Sequence, residues 1–342
     1  MSHFRYCKLT GNWVIIAENR LHKPDYIKDS NKVSDNINTC PFEYGNEHLS
    51  PNEIFATRDE DSKRDDVGWK TRVIPNLYNA LSVESDKKNE VLGFFERQNG
   101  LGAHEIIIDT PHHHITMNNY KIQEYENYLY TIIHRLNDLK NDMRLEYIQV
   151  FKNCGKYAGA SMHHPHTQII ATPFIPKDIV QRIELQREYY NQHNRSILED
   201  MVSEELKLNE RIIYENGTFV VFAPYASYYS FELIIAPKSS IDSIESLKSY
   251  QVNDLSHALK ISYQKLYREL GDDFAFNMIF YNKPPLSAQN DANFFYKIED
   301  FFRFYIRITP RIYHLAGFEL STNMHINPVP PELAASRLKE ES

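Results

Sequence analysis

Apolar and polar positions fall into two stretches with the same order of elements. In the first, Gly102 to Thr110 (GAHEIIIDT) is apolar and β-branched and predicts a strand. Residues 119–142 carry Tyr120, Ile122, Tyr125, Tyr128, Leu129, Ile132, Ile133 and Leu136 at spacings of three and four, which predicts an amphipathic helix. Leu145 to Asn153 and Thr167 to Ala171 predict two further strands on either side of a loop. In the second stretch, strands are predicted over Phe219 to Pro224, Phe231 to Pro237, Phe274 to Tyr281 and Phe301 to Thr309. A helix over residues 247–271 separates the second of these from the third. Residues 176–208, between the stretches, predict one long helix or two shorter ones.

The two stretches also match in detail. His104-Glu105-Ile106-Ile107-Ile108 precedes Thr110-Pro111, and Phe231-Glu232-Leu233-Ile234-Ile235 precedes Ala236-Pro237. An internal duplication explains this; the plainer alternative is two unrelated α+β modules with a shared strand pattern. Upstream, Leu9-Thr10-Gly11-Asn12 predicts a turn and Trp13 to Ala17 a strand. Residues 22–70, with Pro24, Pro41 and Pro51, predict a long irregular surface excursion, and Arg72 to Pro75 a short strand. Pro331 to Ser342 predicts a short helix with a charged, exposed end.

Composition narrows the class. Of 342 residues, 42% are apolar and 13% aromatic, enough to bury a sizeable core. A formal charge of -8 excludes a general nucleic-acid binder but leaves room for a local phosphate pocket. Three cysteines (Cys7, Cys40 and Cys154) make no disulfide framework and fit a reducing compartment. With no signal-like start and no apolar run of membrane-spanning length, a cytoplasmic protein without a membrane partner is expected.

The candidate chemistry lies in Asn153 to Gln168, NCGKYAGASMHHPHTQ. Gly155, Gly159 and Ser161 would let backbone N–H groups approach a phosphate. In a strand through His164-Pro165-His166-Thr167-Gln168, alternation puts His164, His166 and Gln168 on one face. A neutral imidazole is a competent nucleophile toward phosphorus. Its other ring nitrogen must then donate to a fixed acceptor. The Gln168 amide suits a phosphoryl oxygen or the departing group.

This segment resembles the active-site motif of the galactose-1-phosphate uridylyltransferase family, a branch of the histidine-triad superfamily. The likeness covers most of the chain. Leu9 to Ile15 resembles the family's opening strand, Cys40-Pro41-Phe42 its metal loop, and Arg72-Val73-Ile74-Pro75-Asn76-Leu77-Tyr78 its nucleotide-contacting strand. Gly317-Phe318-Glu319 and Ile326 to Glu332 resemble its C-terminal signature. The resemblance implies an α+β fold of two histidine-triad-like halves, each an antiparallel sheet with flanking helices. Residues 1–175 would form the catalytic half, and residues 176–342 a degenerate half completing the sugar-phosphate pocket. It implies transfer of a nucleotidyl group from a nucleoside diphosphate sugar to hexose 1-phosphate or phosphate, in a ping-pong cycle through nucleotidyl-His166. UDP-glucose–hexose-1-phosphate uridylyl transfer is the first reading. By match to family positions, Gln168 and Ser161 join His166 in the catalytic set, and Asn153 and Gly159 hold phosphates. Asn76 contacts the nucleotide; Arg20, with Lys23, and Glu319 stand at the hexose end.

The pattern departs from the family in three places. At the metal loop, Glu43 stands where a second cysteine often occurs. The implied zinc set becomes Cys40, Glu43, His113 and His164, chemically acceptable but harder than a dithiolate; the alternative is a vestigial site held by hydrogen bonds. In the second half, Arg303, Tyr305 and Asn282 replace expected histidines, so no second metal is expected. Leu77 replaces an acidic ribose contact, and RVIPNLYNAL resembles a branch that includes ADP-glucose phosphorylases, which gives the second reading: adenylyl transfer to phosphate. A dinucleotide hydrolase and a non-catalytic nucleotide-sugar binder are further rivals. The family pattern suggests a homodimer with the active site near its interface.

Overall fold

The computed structural model describes residues 2–21, 36–285 and 296–340. Lys23 and part of the 22–70 excursion lie outside them. The chain opens with β1 (His3–Cys7) and β2 (Asn12–Ile16), followed by β3 (Phe55–Arg58) and β4 (Trp69–Pro75). A hairpin of β5 (Asn89–Leu92) and β6 (Phe95–Gln98) precedes β7 (Ala103–Ile108), helix α1 (Ile122–Leu139), β8 (Tyr147–Cys154) and β9 (His166–Thr172). Two helices, α2 (Lys177–His193) and α3 (Ile197–Leu208), lead to β10 (Ile212–Glu215), β11 (Phe219–Phe222) and β12 (Leu233–Pro237). Then come α4 (Ser249–Leu270), β13 (Phe276–Tyr281), the short α5 (Ile298–Phe301) and β14 (Tyr305–Pro310). The chain closes with α6 (Gly317–Thr322), β15 (Ile326–Asn327) and α7 (Pro331–Lys339).

Ten strands form one sheet in the order β10-β11-β12-β14-β13-β8-β9-β7-β4-β3, antiparallel throughout. The fold is α+β and built from two like halves: β4-β7-β9-β8 in the first has the order of β11-β12-β14-β13 in the second. Their innermost strands, β8 and β13, pair directly, with Asn153 opposite Asn277. The two expected sheets are therefore one.

One face of the sheet is buried under α1 and α4. Their apolar positions recur every three or four residues, as Tyr125, Tyr128, Leu129, Ile132 and Leu136 on α1 and Val252, Leu255, Leu259, Tyr263 and Leu266 on α4, all fully buried against Val150, Ile169, Met278 and Ile306. The first turns are fixed by side chains: Glu124 accepts from the Lys121 N–H at 2.8 Å and Gln251 from the Lys248 N–H at 2.9 Å. Gly271, with φ of +85°, ends α4. Arg135 of α1 makes a buried two-pronged pair with Glu105 of β7 at 2.8 Å.

Three sequence expectations are corrected. The excursion over residues 22–70 contains β3, paired with β4 at the sheet edge. The last long strand starts at Tyr305 rather than Phe301, because Phe301 ends α5 and packs with Ile183 and Ile298. Glu105 and Glu232, which the sequence blocks align, face opposite sides: Glu105 meets α1, whereas Glu232 meets Arg307 at 2.7 Å on the other face. A slip of one residue reverses a strand's faces. No helix among the described residues is long and apolar enough to cross a membrane, and Cys7, Cys40 and Cys154 form no disulfide.

Candidate functional site

The sheet face turned away from α1 carries the site. On β9, His166 stands opposite Ile108 and Gln168 opposite Ile106, so both project outward while Thr167 points inward to the Tyr128 hydroxyl at 3.1 Å. His164 precedes the strand, so it does not take part in the alternation expected of it. The Phe42 ring covers both imidazoles, with centroids 5.4 Å from His166 and 6.4 Å from His164.

His166 is held in one tautomer. Its Nδ1–H donates to the His164 carbonyl at 2.9 Å; a carbonyl only accepts, so Nε2 carries the lone pair. Burial, then the Lys152 cation, hold its pKa below the ordinary imidazole value, which keeps the ring neutral at pH 7. Lys152 sits directly behind it on the buried face, donating to Asp109 Oδ2 at 2.6 Å and to the His166 carbonyl at 3.0 Å.

Two clefts of about 220 Å³ each meet at His166 and Met162. One is walled by Phe42, Ile74, Leu77 and Ile106 and carries Asn76, Ser161 and Gln168, an apolar slot with a few polar groups. The other holds Asn153, Gly155, His163 and His164. The loop between them turns through Gly155 and Gly159, with φ of +83° and +86°, values that disfavour a Cβ. Asn153 is oriented from the second half: Asn277 Nδ2 donates to its Oδ1 at 2.8 Å. The second half also reaches this loop through His314, whose ring lies 5.4 Å from Tyr157. His104 lies 3.0 Å from Gln168 and from Asn76. Sequence reasoning missed His104, Asn277 and Lys152; each acts through cross-strand register, for which no local motif exists.

Three of the four expected metal ligands, Cys40, His113 and His164, converge. One donor atom each from Cys40, His113 and His164 lies within 4.8 Å of the others. His164 and His113 approach through Nδ1 at 3.3 Å, with Glu43 Oε2 at 2.6 Å from His113 and 3.6 Å from His164. His164 Nε2–H donates to the Thr110 carbonyl at 2.8 Å, so its Nδ1 lone pair faces the cluster. Burial pushes the His164 pKa down to about 3, leaving a neutral, ligand-competent ring. One proton on His113 satisfies Glu43 but leaves the His164 lone pair facing nitrogen; a cation among Cys40, His113 and His164 suits both imidazoles, whereas Glu43 falls outside that group. A second grouping, His113 with His114 and His163, adjoins it on the same loops.

The remaining expected residues stand apart. Arg20, at the end of a 3-10 turn over Glu18–Arg20, and Glu319, on α6, line neither cleft. Glu319 accepts from the Ala316 N–H at 3.1 Å. In the second half, Arg303 is bonded to Glu199 at 2.6 Å, Tyr305 stacks on Tyr281 with centroids 4.5 Å apart, and Asn282 bridges the Ile244 N–H and Glu245. A larger cleft of about 700 Å³ lies there, between α3 and the sheet; its Arg307 and Arg211 are paired with Glu232 and Glu205, and no imidazole among the described residues lines it.

His325 is buried against the rings of Tyr228 and Tyr229. Burial, then Arg307, push its pKa down to about 4. The unfolded chain binds this proton between the ordinary value of 6.5 and about 4, and the folded chain does not, so this contribution is complete above pH 6.5 and lost on acidification. The melting temperature of His325→Gln should accordingly fall less steeply between pH 6.5 and 4 than that of the parent; parallel profiles would contradict the assignment.

Residues 1–176 match the family model described as the N-terminal domain of galactose-1-phosphate uridyl transferase, and residues 101–341 match a domain family of unknown function. An ADP-glucose phosphorylase of Arabidopsis thaliana is 30% identical over 98% of this chain and 91% of its own. A galactose-1-phosphate uridylyltransferase of Thermotoga maritima is 26% identical over 99% of this chain and 98% of its own. The crystal structure of an Arabidopsis thaliana ADP-glucose phosphorylase with bound ADP-glucose superposes with a TM-score of 0.82 at 29% identity, covering 100% of both chains. A uridylyltransferase structure shares the fold, with a TM-score of 0.74 at 20% identity over 99% of this chain and 97% of that one.

Proposed function

The chain belongs to the galactose-1-phosphate uridylyltransferase family, and we propose that it transfers a nucleotidyl group between phosphates through a covalent bond to His166. It is a hexose-1-phosphate nucleotidyltransferase. The observation that carries the covalent step is the His166 Nδ1–H bond to the His164 carbonyl, which leaves the Nε2 lone pair at the junction of two clefts.

Nε2 attacks the α-phosphorus of a nucleoside diphosphate sugar. The N–P bond forms as the P–O bond to the β-phosphate breaks, and hexose 1-phosphate leaves with the bonding pair. A phosphate oxygen of the acceptor then attacks the same phosphorus, and His166 departs neutral. Gln168 and Ser161 face the phosphoryl oxygens from one side, and Asn153 and Gly159 from the other. The apolar slot takes the nucleoside, with Asn76 at its edge. Residues 1–175 carry this chemistry, and residues 176–342 complete the pocket. Arg20 and Glu319 line neither cleft of one chain, and with the family pattern this leads us to assign a homodimer in which a second copy brings them to the hexose; sedimentation at the mass of one chain would contradict it. The cytoplasm is its expected location.

Cys40, Glu43, His113 and His164 would hold zinc, which supplies rigidity to the loop behind the nucleophile. One zinc per chain is expected by elemental analysis. His113→Ala should lose the metal and lower the melting temperature, and a metal-free parent of unchanged melting temperature would overturn the site.

Uridylyl transfer from UDP-glucose to a hexose 1-phosphate is the first reading. ADP-glucose phosphorolysis is the second, favoured by the Arabidopsis relative and by Leu77 on the wall of the slot. Rates with UDP-glucose plus galactose 1-phosphate and with ADP-glucose plus phosphate decide between them: the faster pair identifies the branch, and inactivity with both would reject these two.

A further inference from the structure

His104 contacts three groups beside the cleft that Asn76 and Gln168 line. The Ala80 N–H donates to its Nδ1 at 3.1 Å, the Gln168 Oε1 lies 3.0 Å from its Nε2, and the Asn76 Nδ2 lies 3.0 Å from the same nitrogen. A neutral imidazole has one proton to place. On Nε2, it satisfies Gln168 Oε1 and leaves Nδ1 to accept from Ala80. On Nδ1, it opposes the Ala80 N–H and leaves Nε2 facing the Gln168 oxygen, with only the Asn76 contact satisfied. Two bonds outweigh one, so Nε2 is the donor.

The neighbouring amides follow from this. The Gln168 carbonyl is held from behind, so its NH2 turns away from His104, toward the cleft shared with His166. Asn76 Oδ1 already accepts from the Tyr78 N–H at 2.9 Å, which rules out flipping that amide without losing a bond. Its NH2 therefore faces the His104 N–H, the one contact that this tautomer leaves unsatisfied. The strands fix the arrangement: the Asn76 N–H donates to the His104 carbonyl at 2.9 Å, and β7 pairs with β9 through Ile106 and Gln168.

We infer that His104 is a positioning residue, donating from Nε2 to Gln168 so that the Gln168 amide presents its NH2 to the phosphoryl group transferred at His166. The inference rests on the transfer proposed above. An amide free to rotate would present its carbonyl to the phosphate about as readily, and a mis-set donor forfeits stabilisation that a preorganised one supplies.

The first test does not need turnover. Long-range ¹⁵N–¹H spectra of the ligand-free chain should show the His104 proton on Nε2; a proton on Nδ1 would overturn the inference. The second is single-turnover formation of the His166 adduct. His104→Leu should slow it by about 10- to 100-fold, the range expected for a misdirected phosphoryl donor, with the dissociation constant of the nucleotide sugar changed less than about 3-fold. His104→Gln, which restores an N–H near the Nε2 position, should recover most of the rate. Added to Gln168→Ala, His104→Leu should cost nothing further, because it acts through Gln168. An unchanged rate, or losses that multiply in the double variant, would sink the idea. No adduct in the parent chain would instead count against the transfer itself.

Discussion

Replacing His166 with alanine should lower turnover by at least about 10⁴-fold, the scale of losing a covalent nucleophile. The effect is confined to chemistry. The slot residues Ile74, Ile106 and Leu77 and the amides of Asn76 and Gln168 are untouched, so the variant should bind nucleotide sugar with a dissociation constant near the parent's. A loss of rate with retained binding separates a nucleophile from a binding residue. If His166→Ala keeps turnover within about 10-fold, transfer is direct between the two substrates and the covalent account fails.

The second large effect is on stability. Lys152 and Asp109 form an ion pair whose side chains are 3% and 0% exposed. Lys152→Met should destabilise the chain by about 3–5 kcal/mol, because the Asp109 carboxylate then stays buried without its counter-charge. The same change frees the His166 carbonyl, which Lys152 binds at 3.0 Å. Lys152→Met combined with Asp109→Leu should recover much of the stability, since replacing both partners removes the uncompensated charge. Chemical denaturation of the parent and the two variants measures this; a Lys152→Met variant as stable as the parent would show that the pair does not hold this part of the sheet.

Most elements were legible because they repeat. Helices α1 and α4 announce themselves by three- and four-residue spacing, and β7, β8, β12 and β13 by stretches rich in β-branched and aromatic residues. Elements without such runs were not. Strand β3, four half-buried residues at an edge, and the hairpin of β5 and β6, where Val91, Phe94 and Phe95 are 71%, 94% and 73% exposed, carry no buried face to set a pattern. The Glu105/Glu232 match shows a different limit: identical letters aligned by eye landed on opposite faces, and only the partner strands fix the register.

The site divides in the same way. His166, Gln168 and the Gly155/Gly159 loop were legible because they lie close together in sequence. The convergence of Cys40, His113 and His164 was carried by family resemblance, since they span three loops. His104, Lys152 and Asn277 depend on which strand lies beside which, and the sequence holds no local record of that. Arg20 and Glu319 were named from the resemblance, and the single chain does not bring them to His166.

The most direct measurement is the intact mass of the chain after mixing with UDP-glucose or ADP-glucose, each without acceptor, beside His166→Ala. A uridylyl or adenylyl mass increment on the parent, absent from the variant and discharged by hexose 1-phosphate or phosphate, is the expected result, and the increment that forms identifies the base. No increment from either donor while both bind, or an increment that persists in His166→Ala, would contradict a covalent nucleotidyl-His166 intermediate.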